Sequence, residues 1–329
     1  MRNKEKPVLC SMETPIGTDV AQAAALLRAG AVVAMPTETV YGLAANAFDE
    51  AAVLRIFQVK QRPSFDPLIV HVRDREQLSP LVARLPREAE ALMEHFWPGP
   101  LTLVLPKTGR VPDLVTSGLD TVAVRMPAHP VAQALLRAVD FPLAAPSANP
   151  FGYVSPTSAQ HVADQLGGKV PYILDGGPCT VGVESTILGW EQEAGAWLLY
   201  RPGGTPVEAI AEVIGAVGAA QPGLLPASPG MLESHYAPGT PVHAGDVPQL
   251  LEAHRGKCIG VISFRQHHGA AHNEVLSVKG DLAEAASRLF AALRKLDRSD
   301  AEVILAEIFP QEGLGVAIND RLRRAAAKR

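Results

Sequence analysis

The chain has 329 residues, 47% of them hydrophobic and 19% charged, enough apolar surface for two packed units and too much for a disordered chain. A net charge of −4 argues against whole-molecule attraction to nucleic acid or an anionic membrane, while leaving room for a local basic groove. Cys10, Cys179 and Cys258 lie far apart and form no paired motif, which reads as a reducing, cytoplasmic setting without disulfides or a structural zinc. No apolar run approaches the roughly 20 residues of a membrane span, and the first residues lack a signal-peptide segment.

In chain order, residues 18–30 are expected to be helical, with Thr18 as N-cap and Gly30 as the stop. The buried strand AVVAM follows, then the loop PTETVYGL. Asp49 should cap a second helix ending at Lys60, with Val53, Ile56 and Phe57 on its apolar face. PLIVHV reads as a strand and PREAEALMEHFW as a helix with proline near its first turn. LTLVL, TVAVRM and PLAAP read as strands, with the helix HPVAQALLRAV between the last two. SPTSAQHVADQLGG is a helix bounded by hydroxyl residues and glycines; PYILD, STILGW and AWLLYR complete the sheet, and PVEAIAEVIGAV is a helix.

Residues 215–230 include twelve Gly, Ala, Pro or Ser and read as a linker. Beyond it, CIGVISF, the helix DLAEAASRLFAALRKLD, EVILAE and the helix GVAINDRLRRAAAK alternate as a small α/β unit with a parallel sheet. Asp281 and Glu284 have the spacing of a capping box. The expected division is residues 1–214, a connector over 215–241, and residues 242–329.

No Walker A loop, G-x-G-x-x-G turn, G-x-S-x-G elbow or H-E-x-x-H helix is present. The candidate chemistry lies instead in polar loops at strand ends. Thr37 and Thr39 alternate with Glu38 in an extended segment. Lys60 and Arg62 sit in a loop stiffened by Pro63 and Pro67, and His71 lies inside an apolar strand. A helix-dipole interaction accounts for Lys60 but not for Arg62 or His71. Arg125, in a half-buried strand, calls for a carboxylate or phosphate partner; an internal Asp or Glu competes with a ligand for that role. The segment PSANPFGYVSPTS, with Ser147, Asn149 and Ser155 ahead of a helix, and DGGPCTVGVESTI, with Ser185, offer hydroxyls and close backbone approach; Arg201 stands at another strand end. Each loop alone is ordinary turn chemistry; together, three of them with an embedded cation, they point to an anion site.

The ordered motifs PTETVYGL, KQRPSFDPLIVHV, TVAVRMP, APSANPFGYVSPTSAQHV, DGGP with VGVEST, RPG and SPGMLESHYAP resemble the threonylcarbamoyl-AMP synthase family over about residues 15–240. GLGVAINDRLRRAA resembles the end of the second domain of its long form. The resemblance implies an α/β fold: a YrdC-like twisted mixed sheet with helices, then a linker and a small Rossmann-like α/β domain. It also implies a nucleotidyltransferase joining L-threonine, bicarbonate or CO2, and ATP with Mg2+ into threonylcarbamoyl-AMP, whose product passes to the tRNA threonylcarbamoyl-transfer machinery. A monomer with weak tRNA contact and no membrane is expected.

By the same resemblance, threonine is met by Thr37, Thr39, His71, Arg125, Ala145 and Ser185. ATP is met by Lys60, Arg62, Asp66, Thr121, Ser147, Ser155, Arg201 and Tyr236, with Lys60, Arg62 and Arg125 as the catalytic cations. Asp66 departs from the family's more usual asparagine: a carboxylate cannot donate to phosphate, and it could instead hold Mg2+ or pair with Arg62. Three other readings compete. They are carbamoyl-adenylate chemistry of the hydrogenase-maturation type, which lacks its zinc-finger cysteine pairs here, an RNA-binding module, and a metal site at His267, His268 and His272, whose polar stretch reads as a solvated loop.

Overall fold

The computed structural model describes residues 14–220 and 235–327. The first half contains β1 (Ile16–Gly17), α1 (Val20–Arg28), β2 (Val33–Met35), β3 (Gly42–Asn46), α2 (Glu50–Lys60), β4 (Ile69–His71) and α3 (Arg87–Phe96). It continues with β5 (Leu101–Pro106), α4 (Asp113–Thr116), β6 (Thr121–Arg125), α5 (Pro130–Ala138), β7 (Leu143–Ala144) and α6 (Ala159–Leu166). Then come β8 (Ile173–Leu174), β9 (Thr186–Glu191), β10 (Ala196–Arg201), α7 (Val207–Ile214) and β11 (Gly218–Ala219). The last part contains β12 (Val242–Gly245), α8 (Val247–Ala253), β13 (Ile259–Ser263), β14 (His272–Val275), α9 (Leu282–Asp297), β15 (Val303–Glu307) and α10 (Leu314–Ala326).

The strands β1 to β11 form one mixed sheet in the order β1-β8-β2-β3-β7-β4-β6-β5-β9-β10-β11. The strands β12 to β15 form a separate sheet, order β12-β15-β13-β14, whose pairs are all parallel. This is the mixed α/β fold expected, with the small parallel sheet after it.

Most element boundaries follow local chemistry. Asp49 caps α2 by accepting from the backbone N–H groups of Ala51 and Ala52, and Ser158 caps α6. The cap of α1 is Asp19 and not Thr18: its carboxylate accepts from Ala21 and Gln22, and a carboxylate also favours the positive helix end. Asp281 caps α9, but Glu284 does not reach back to it. Ser277 stands between them, its Oγ donating to Glu284 and accepting from the Asp281 N–H.

Several elements escape the sequence reading, among them the short β1 and α4. β3 is made of small residues with low strand propensity and is held by antiparallel pairing with β2 and β7. β12, α8 and β14 are short, and β14 is polar, so its existence rests on pairing with β13. Part of the expected linker is also structured, since Gly218 and Ala219 add β11 to the sheet edge. Residues 221–234 lie outside the described residues.

Two large apolar cores hold the elements. One fills the first sheet between α2, α3 and α6, through residues such as Leu43, Ile56, Leu92, Leu103 and Val162. The other joins Leu289, Phe290 and Leu293 of α9 and Ile318 and Leu322 of α10 to Val40, Val154, Val183 and Tyr236. The second core therefore contains residues of both halves of the chain. No helix among the described residues is long and apolar enough to cross a membrane.

Candidate active site

The parallel pairing of β4 with β6 sets His71 beside Arg125, in register at the ends of the two strands. The loop before β3 supplies Thr37 and Thr39. Thr37 Oγ1 accepts from the N–H groups of Thr39 and Val40, a turn closed by its own hydroxyl, and lies 2.8 Å from Thr39 Oγ1. Arg125 donates through Nη1 to Thr39 Oγ1 at 2.9 Å, and through Nη2 to Glu38 Oε1 at 2.6 Å. The internal acid expected as a competing partner for Arg125 is thus Glu38. Arg125 nevertheless lines a pocket together with Thr37, Thr39, His71, Ala145 and Ser185, so the six residues assigned to threonine converge.

The same pocket is also lined by Arg62, Ser147, Arg201 and Tyr236. Arg201 donates to the carbonyl of Ser185 at 2.9 Å and to its hydroxyl at 3.2 Å, and that hydroxyl lies 2.8 Å from Thr102 Oγ1. Lys60, Asp66, Thr121 and Ser155 do not line the pocket. Lys60, at the end of α2, is buried and donates through Nζ to the carbonyls of Ser147 and Asn149, bracing the loop that carries Ser147. Asp66 is buried behind Arg62 with the charges 2.8 Å apart; of the two fates open to it, pairing with Arg62 is the one observed. Ser155 donates to Glu184 Oε1 at 2.5 Å. Thr121 begins β6, in register with Pro106, four residues from Arg125.

Glu184 and His235 line the pocket and were not singled out from sequence, although both lie inside recognisable motifs, VGVEST and SHYAP. The other Glu184 oxygen accepts from Arg321 Nε of α10 at 2.7 Å. Arg321 also pairs with Asp320 at 2.8 Å, and its guanidinium lies 5.0 Å from the centre of the Tyr236 ring. Tyr236 is fully buried, stacks on Phe290 with ring centres 5.6 Å apart, and has a φ of 62°, unusual for a bulky residue. The second half of the chain thus forms one wall of the pocket's surroundings.

Burial sets the electrostatics. It lowers the pKa of Arg62, and it drives that of Lys60 well down with help from the neighbouring Arg62 charge. Burial opposes the charge of Glu184, but Arg321 and Arg201 hold its pKa below the usual carboxylate range. His71 is pushed down to about 3 by burial and then by Arg125, so its imidazole is neutral at pH 7, with Nδ1 buried and unpartnered. Desolvated guanidinium groups beside neutral hydroxyls and a neutral imidazole make a site for a small anion with polar substituents.

Two family profiles match. One, described as "Telomere recombination", covers residues 25–203, and "Threonylcarbamoyl-AMP synthase, C-terminal domain" covers 205–327. The threonylcarbamoyl-AMP synthase of Pyrococcus abyssi is 46% identical over 93% of this chain and 94% of its own length. That of Bacillus subtilis is 44% identical over 94% and 93%. The crystal structure of P. abyssi Sua5 complexed with L-threonine superposes with a TM-score of 0.89 at 43% identity, covering 95% of this chain and 98% of that one. With near-complete coverage in both sequence and structure, the chain belongs to the threonylcarbamoyl-AMP synthase family of nucleotidyltransferase-type enzymes, in its two-domain form.

Proposed function

We propose that this pocket joins L-threonine, CO2 or bicarbonate, and ATP to give threonylcarbamoyl-AMP and pyrophosphate, for modification of adenosine in tRNA. The observation that carries the reading is the convergence of Arg125, Thr39, neutral His71 and Ser185 with Arg62 and Arg201 in the lining of one pocket.

Arg125 is the partner of the threonine carboxylate: a planar fork suits a planar anion, and Glu38 and Thr39 hold it in place. Thr37, His71, Ala145 and Ser185 complete the amino-acid side. The threonine amine adds to CO2, losing a proton to give a carbamate. A carbamate oxygen then attacks the α-phosphorus, the bond from that phosphorus to the bridging oxygen breaks, and pyrophosphate leaves. Such a displacement needs alignment and charge neutralisation more than a covalent nucleophile.

Arg62 and Arg201 neutralise the phosphates, with Ser147 and Tyr236 beside the nucleotide and Thr121 outside the pocket lining. Lys60, Asp66 and Ser155 act from behind, through the Ser147 loop, Arg62 and Glu184 respectively. Mg2+ is expected to enter with the triphosphate. The one carboxylate lining the pocket among the described residues, Glu184, has both oxygens engaged, which suits an ion held by phosphate oxygens and water rather than by a protein cage. Residues 1–214 are the catalytic unit in this reading, 215–241 a lid-like connector, and 242–329 a second unit that supports it.

The test is pyrophosphate release from ATP with Mg2+ and bicarbonate. Strict dependence on both L-threonine and bicarbonate, with L-serine much poorer, is the expected result. Folded protein that releases no pyrophosphate in response to threonine would sink the reading.

A further inference from the structure

We propose that Cys258, His272 and Asp300 form a Zn2+ site at the amino end of the second sheet. Cys258 directly precedes β13, His272 opens β14, and Asp300 lies just before β15. The parallel registers, Gly260 with His272 and Ile259 with Val303, bring these three strand starts to one edge. One sulfur, one ring nitrogen and one carboxylate oxygen lie within 4.8 Å of one another. His272 Nε2 is 2.5 Å from Asp300 Oδ1. The Cys258 backbone is fixed in turn, its N–H donating to Glu302 Oε2 at 2.8 Å.

The donor set selects the ion. A thiolate with an imidazole favours zinc over magnesium or calcium, and three protein ligands with one water complete a tetrahedron. Asp300 is exposed and the other two ligands are half-buried, so an ion can reach them without opening the fold. Binding releases the thiol proton to solvent and places the imidazole proton on Nδ1, leaving Nε2 to the metal. None of the three residues lines the catalytic pocket. The ion is therefore a strap across β13, β14 and β15, and it acts on the stability of the second unit. Of the three histidines considered from sequence, only His272 takes part. The wide spacing of the cysteines concealed the site because His272 and Asp300, and not another cysteine, supply the remaining ligands.

The experiment uses the full-length chain, stripped with a chelator and titrated with Co2+ while the thiolate-to-cobalt charge-transfer absorption is followed. The expected result is a band that saturates near about one equivalent and is bleached by Zn2+. It should persist in Cys10→Ser, vanish in Cys258→Ser, and require about tenfold more Co2+ in His272→Ala. Zn2+ should also raise the melting temperature of the native chain and not that of Cys258→Ser. No band, a band that never saturates, or one that survives in Cys258→Ser would mean an adventitious ion only and overturn the proposal. If Cys258→Ser does not fold, the His272→Ala titration decides alone: an unchanged midpoint refutes the site.

Discussion

Arg125 is bound into the fold by three partners while still lining the pocket. Its Nε donates to the Gly99 carbonyl at 3.2 Å, and its two terminal nitrogens reach Glu38 and Thr39, yet it remains at the pocket wall. A lysine keeps the charge but cannot fork between those partners and a carboxylate. Arg125→Lys is therefore expected to raise the KM for threonine about tenfold or more, an effect of ~1.4 kcal/mol, with a smaller change for ATP. Steady-state pyrophosphate release with each substrate varied checks this. Asp66 is the second informative residue. Burial raises its pKa despite the opposing Arg62 charge, which lies 2.8 Å from its carboxylate. Asp66→Asn leaves the Arg62 charge to the phosphates and should keep or tighten ATP binding. Asp66→Ala should destabilise by about 3 kcal/mol, because it strands a buried guanidinium. A large loss of ATP affinity in the asparagine variant would show a separate role for the carboxylate.

The buried histidines add a pH dependence with a definite sign. His71 and His235 are both depressed to about 3 in the fold, chiefly by burial, whereas in the unfolded chain they titrate near about 6.5. Between those values the unfolded state binds more protons, so stability falls as pH falls below about 6.5, by up to ~1.4 kcal/mol per pH unit for each histidine. Urea midpoints at a series of pH values should show this slope, and His71→Gln should make it shallower.

At the scale of elements, the decisive contacts are those between the loop before β9 and the helices α9 and α10. Gly182 has a φ of 74°, and a Cβ placed there would lie 2.3 Å from the Ser287 Cα and 2.7 Å from the Ala286 carbonyl oxygen. Two residues on, Glu184 ties Ser155 to Arg321. Gly182→Ala should push α9 away, costing at least about 2 kcal/mol by strain and lost packing. Because the displaced helix also carries Phe290, on which Tyr236 stacks, the KM for ATP should rise as well. Urea unfolding with substrate kinetics tests both effects; a stable variant with unchanged kinetics would show that this contact does not support the pocket. The well-marked helices were legible because their signals are local: Asp49, Ser158 and Asp281 each cap the helix that follows. β3, β12 and β14 were not, because their residues become strands only through neighbours distant in sequence.

For the whole molecule, the pocket encloses only about 50 Å³, against the roughly 300–1,000 Å³ of typical ligand sites. His235 and Tyr236 contribute to its closure, and Tyr236 is buried against α9 and α10. The proposed reaction therefore predicts that the His235–Tyr236 segment shifts to admit ATP and, on returning, shields the product from water. Removing residues 226–329 should raise the KM for ATP by about tenfold or more and speed loss of the intermediate. Kinetics together with product decay read both, and a truncated protein unchanged in either would refute the role of the second unit.

The α/β class, the family motifs and most of the polar residues that meet at the pocket were legible from consecutive residues, because helix caps, strand runs and motif order are local signals. The partnerships among those residues came from folding. It placed Lys60 behind the Ser147 loop, matched Arg125 with Glu38, turned Asp66 onto Arg62, and brought Arg321 to Glu184 across 137 positions of chain. The physical reason is that a charged side chain removed from water must find its partner wherever the packed core brings one within reach, and sequence spacing carries no record of that distance.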